Sequence, residues 1–100
     1  MLFMVDSVHS AETCPAGSIR PDAKFSANLK KAVKRSGVKW VNGYLDAPSH
    51  HFYFLVQART AEQIYEFVVP LLVRIGTTKV SPVLEWHVAV KAGRKAGVQK

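Results

Sequence analysis

Apolar positions along the chain fall into two kinds of run. In Leu2-Phe3-Met4-Val5 and in Phe52-Tyr53-Phe54-Leu55-Val56 every position is apolar or aromatic. Successive side chains of a strand point to opposite faces, so both runs read as strands covered on two sides. Val38 to Ala47 alternates instead. Trp40, Asn42, Tyr44 and Asp46 share one face, and Val41, Gly43, Leu45 and Ala47 the other, as in a strand with one wet side. Pro48-Ser49 then turns the chain, and a hairpin there sets Asp46 opposite His51 and Tyr44 opposite Tyr53. Thr77 to Leu84 reads as a last strand, confined to an edge because Pro82 cannot donate to a ladder.

Two segments carry helical spacing. Pro21 suits a first helical turn, after which Phe25, Leu29, Ala32 and Val33 recur on one face, and Gly37 closes the helix. Thr60-Ala61-Glu62-Gln63 is a capping-box pattern that starts the second helix. Ala61, Ile64, Tyr65, Val68, Leu71 and Leu72 form its apolar stripe, Pro70 interrupts it and Gly76 ends it. Ser7 to Ser18 reads as a long loop, and Glu85 to Lys91 either extends the last strand or forms a short helix.

The order strand, helix, strand, strand, helix, strand predicts an α+β domain of ferredoxin-like βαββαβ type, a four-stranded antiparallel sheet with two helices on one face. The domain spans residues 1–90, with 91–100 a basic C-terminal tail. Phe52, Phe54, Val56, Val41 and Leu45 are expected to face the helices, and Trp40, Tyr44, Tyr53 and Leu55 the open side. An aromatic face of that kind predicts a homodimer stacked sheet on sheet around a cavity, with Phe67 and Val69 adding to the contact.

Composition adds a partner question. The net charge is +7, with six of the fourteen basic residues between Lys24 and Lys39 and four more from Lys91 to Lys100. Such a balance suits nucleic acid, acidic membranes or anionic metabolites, without choosing among them. Lys24, Lys31 and Arg35, however, lie on the outward side of an amphipathic helix, where a solvated charged face is ordinary. The single cysteine, Cys14, has no internal disulfide partner, which fits a reducing cytoplasm. No apolar run is long enough for a membrane span, and Met1 to Val5 reads as a strand rather than a signal peptide.

Beyond pattern, Val8-His9-Ser10-Ala11-Glu12-Thr13-Cys14-Pro15, Gly37-Val38-Lys39 and Tyr44-Leu45-Asp46-Ala47-Pro48 with His51 carry a family likeness. Pro70-Leu71-Leu72, Ile75-Gly76-Thr77 and Ser81-Pro82-Val83-Leu84 extend it over residues 2 to 86. In these motifs the chain resembles small stand-alone members of the dimeric α+β barrel superfamily of ferredoxin-like proteins. That superfamily includes muconolactone isomerases, haem-degrading and antibiotic-biosynthesis monooxygenases, and ligand-binding regulators. The resemblance therefore implies a cavity at the sheet face and leaves the reaction open.

Three groups of residues could work in such a cavity. His9, Cys14 and His51, with Glu12 and Asp46 nearby, are donors that suit a transition metal. Against that, His9-x4-Cys14 is no established ligand spacing, and histidines at strand ends are common. Asp46 and His51 could form a catalytic acid–base pair, or only a cross-strand ion pair beside a turn. Trp40, Tyr44 and Tyr53 could stack a planar ligand, or pack a dimer. The expected function is small-molecule or metal binding in the sheet-face cavity. An isomerase- or monooxygenase-like enzyme is the alternative, and nucleic-acid binding through the basic helix the third.

Overall fold

The structure, a computed structural model, describes residues 1–10, 24–73 and 75–97. Elements run β1 (Leu2–His9), α1 (Lys24–Ser36), β2 (Lys39–Asp46), β3 (His51–Gln57), α2 (Ala61–Leu72), β4 (Gly76–Val83) and α3 (Trp86–Lys95). The chain is thus a small α+β domain with a four-stranded antiparallel sheet in the order β2-β3-β1-β4. The two runs apolar on both faces are the inner strands, and the strand carrying Pro82 is an edge. Among the described residues there are three helices rather than the expected two.

β1 is longer than its apolar run. Ser7, Val8 and His9 belong to the strand, not to a loop. Pairing on both sides explains this: Ser7 meets Phe52 and Thr78, and Val8 meets His51 and Thr77. Ladder bonds from two neighbours outweigh the loop-like composition, and the fully buried Ser7 hydroxyl accepts from Thr78 Oγ1 at 3.4 Å.

Register sorts the sheet into two sides. Phe3, Val5, Ser7 and His9 share a face with Phe52, Phe54 and Val56. Helices α1 and α2 cover that side: Phe25 of α1 stacks on Phe52 with ring centroids 5.0 Å apart, and Phe67 of α2 meets Phe54 edge-on at 6.4 Å. The other side carries Leu2, Met4, Asp6 and Val8 of β1, with Asn42, Tyr44, His51, Tyr53, Leu55, Lys79, Ser81 and Val83 around them.

Several assignments from the pattern change. Trp40 lies on the helix side, because a β-bulge between Trp40 and Asn42 shifts the register. One extra residue reverses the parity of everything before it. Val41 sits at the bulge, exposed, rather than in the core. Leu45 does pair with Phe52, yet stays exposed at the outer strand. In α2 the buried stripe is Ile64, Phe67, Val68, Leu71 and Leu72, while Ala61 and Tyr65 are exposed. Phe67, expected at a dimer contact, is fully buried. Apolar residues occur almost all round this helix, so composition could not choose its inner face.

The predicted capping box is present: Thr60 Oγ1 accepts from the Gln63 amide at 3.2 Å, and Gln63 Oε1 accepts from the Thr60 amide at 3.3 Å. Pro70 stays inside α2, within its last turn, and the helix stops at Leu72, before Gly76. Trp86 to Lys91 resolves as helix after the extended N-cap Glu85, and α3 continues through Lys95. Gly97, at φ +76°, receives the helix end in a left-handed conformation open to glycine. Among the described residues, no helix is long and apolar enough to cross a membrane.

Candidate functional site

The distinctive polar group on the open sheet face is built on adjacent strands. His51 begins β3 opposite Val8, and Asp6 lies in the middle of β1, two residues before Val8 on the same face. His51 Nε2 is hydrogen-bonded to Asp6 Oδ1. A carboxylate oxygen accepts, so the neutral ring carries its proton on Nε2 and presents Nδ1 as its basic nitrogen. Tyr53, two residues on and on the same face, stacks under the imidazole at 4.2 Å and 7°. The ring is therefore fixed from below by stacking and from one edge by a hydrogen bond.

The register places Asp46 opposite His51, as the hairpin pattern predicted. Its side chain, however, serves the turn: Asp46 Oδ1 accepts from the Ser49 amide at 3.3 Å. Short acidic side chains favour that local bond over a cross-strand one. The acidic partner of His51 is Asp6, which the pattern reading missed. Its signal was present, since a charged residue following an apolar run that forms an inner strand needs a polar partner.

His9 and His51 are separated by the sheet. His9 is buried on the helix side, 4.8 Å from Phe52 between ring centroids and edge-on to His50 at 5.6 Å. Odd positions of β1 face the helices and His51 pairs with even-numbered Val8, so strand parity sends the two imidazoles apart. They do not form the shared ligand pair expected from sequence. Cys14 and Glu12 lie outside the described residues, among which no group of three or more His, Cys, Asp or Glu could hold a metal. Burial, then the neighbouring His50 and His51, push the His9 pKa below its ordinary 6.5.

Tyr44 and Tyr53 are cross-strand neighbours on the open face, and Asn42 Nδ2 donates to the Tyr44 hydroxyl at 3.0 Å. Trp40 is absent from this group. Its indole lies over Gly43 and packs on Phe54 at 5.3 Å, and it walls a cavity of about 420 Å³ with Ser26, Leu29, Lys30 and Val33. A second cavity, about 360 Å³, lies between α2 and β4. Both are on the helix side. On α1, Lys24, Lys30, Lys31 and Lys34 are exposed, and Arg35 donates to the Glu66 carbonyl of α2 at 3.3 Å. One of the expected basic-face residues thus ties two helices together.

No protein-family model matches the chain, and no curated protein matches it.

Proposed function

We propose that the protein is a homodimeric ferredoxin-like α+β barrel that binds a small organic ligand at its open sheet face, with His51 as the polar anchor. The observation that carries this is His51 itself: stacked on Tyr53, hydrogen-bonded to Asp6, and set in a face where Leu2, Met4, Val8, Leu55 and Val83 surround it together with the polar Asn42, Tyr44, Lys79 and Ser81. Support for the fold comes from the βαββαβ order of the first six elements, the inner positions of β1 and β3, and two helices on one side. Apolar surface around a few fixed polar groups is the usual composition of a ligand site. A second copy stacked on this face would close it into a cavity. A metal fits less well, since His51 and Asp6 supply two donors where tetrahedral zinc takes four.

The enzymatic alternative uses the same residues. Asp6 orients His51 as a general base, which suits proton transfer on a bound ligand in the manner of an isomerase. Sedimentation velocity at micromolar concentration tests the common premise. The reading expects an assembly that Tyr53→Glu reduces in mass by removing the sheet-on-sheet contact while the chain stays folded; a wild-type monomer overturns it. Native mass spectrometry of untagged protein then looks for a retained small molecule, expected in wild type and lost in His51→Ala.

A further inference from the structure

Helix α3 buries no residue, although its sequence is two-sided. At 100° per residue, His87, Lys91, Arg94 and Lys95 occupy one arc, and Trp86, Val88, Ala89, Val90, Ala92 and Gly93 the remainder. Trp86 is 84% exposed. A helix of this pattern has a covered side somewhere, and its own copy does not supply it.

The domain has a matching vacancy. Between α2 and β4 runs an apolar groove of about 360 Å³, lined by Ile64, Tyr65, Val68, Val69, Val73 and Val80 among others. Tyr65, Val69 and Val73 leave 70%, 44% and 52% of their surface exposed. Glu62 and Glu66 are exposed on the same stripe of α2, since positions i, i+3, i+4, i+7 and i+11 follow one flank. Glu62 and Glu66 thus flank the apolar groove on the outer side of α2, where Arg35 also reaches the Glu66 carbonyl, and α3 is apolar with a basic side. Lys79, a cation of neighbouring β4, pairs in register with Asp6 on the opposite sheet face and does not oppose this.

The connection decides whose helix fits. Only Leu84 and Glu85 separate β4 from α3, and Glu85 is extended at φ −58° and ψ 148°. The chain leaves the end of the sheet instead of folding back, and the molecule measures 49 Å along its long axis. A short, extended hinge between a domain and a terminal element favours exchange between copies over closure within one.

We infer that α3 docks in the α2–β4 groove of a second copy, with Lys91, Arg94 and Lys95 facing Glu62 and Glu66. In a two-fold pair the exchange is reciprocal and leaves neither groove empty. The groove and the His51 surface lie on opposite sides of the sheet, so the exchange goes beyond the ligand-site reading and does not depend on it.

Disulfide trapping between two separately prepared proteins tests the exchange. In a Cys14→Ser background, one carries Val69→Cys and the other Ala89→Cys; they are mixed in oxidised glutathione. A mixed disulfide of doubled mass is expected. It should fall at least tenfold when Glu62→Lys and Glu66→Lys are added to the first protein, and return when Lys91→Glu and Arg94→Glu are added to the second. Should Cys14→Ser fail to fold, Trp40→Phe isolates Trp86 fluorescence, whose emission should shift to the blue as concentration rises. No mixed disulfide overturns the inference. So does a bridge formed only within one copy carrying both cysteines, or α3-dependent sedimentation with phosphatidylserine vesicles without crosslinking, which would assign the helix to an anionic membrane surface. Tyr53→Glu leaves the crosslink intact, so the two readings fail separately.

Discussion

His51 is held by Asp6 of β1 and not by Asp46, the residue opposite it in the β2–β3 register. Exchanging either acid for its amide separates the two. Asp6→Asn should erase the preference for the Nε2–H tautomer of His51, read from imidazole nitrogen shifts. Asp46→Asn should leave that preference alone and instead loosen the turn at Ser49. An unchanged tautomer in Asp6→Asn would remove the basis for treating His51 as an oriented base.

His9 makes stability depend on pH in a direction that follows from its lowered pKa. The unfolded chain takes up a proton near the ordinary value of 6.5, while the folded state resists it. The contribution is therefore complete above that pH and is lost as pH falls from there through the lower folded value. Urea midpoints at pH 8 and pH 5 should differ more in wild type than in His9→Leu. Equal differences would mean that His9 is not the group responsible.

Gly43 and Gly76 are both sites of close approach, with different neighbours. A Cβ at Gly43 would lie 2.6 Å from the Trp40 ring, and one at Gly76 would lie 2.0 Å from the Val8 carbonyl oxygen. Gly43→Ala should cost about 1–3 kcal/mol, since the indole can move. Gly76→Ala should cost more, because relief there requires breaking the β1–β4 ladder. Chemical denaturation of both variants checks the order, which reverses if Trp40 is more firmly held than the strand.

Phe67 and Tyr65 distinguish the inner face of α2 from its outer flank. Phe67→Ala should destabilise the domain by about 3–5 kcal/mol through the cavity it leaves. Tyr65→Ala should fall within about 0.5 kcal/mol in dilute protein, as surface changes usually do. A large loss for Tyr65→Ala at low concentration would show that the α2–β4 groove is closed within a single copy.

At the hairpin, His50 has φ +54°, a left-handed conformation that suits glycine. His50→Gly should keep the turn, while His50→Val should lose about 1–2 kcal/mol to the Cβ clash of that region. Comparable stability of the two variants would place the turn elsewhere.

Local pattern alone marked four strands and two helices, because alternation, capping and proline placement act over a few residues, while it read Ser7 to His9 as loop and left Glu85 to Lys91 undecided. Phe52 to Val56 had to lie inside a sheet, Pro82 at its edge, and Thr60 at a helix start. Tertiary structure decided what parity and packing control. One bulged residue moved Trp40 to the helix side, two-sided pairing drew Ser7 to His9 into β1, and the burial of Phe67 set the rotation of α2. The polar site followed the same division. His51 and Tyr53 were legible as neighbours on one strand, but Asp6 became their partner only when β1 was laid beside β3. Its backbone register, spanning more than forty residues of sequence, is written in no local pattern.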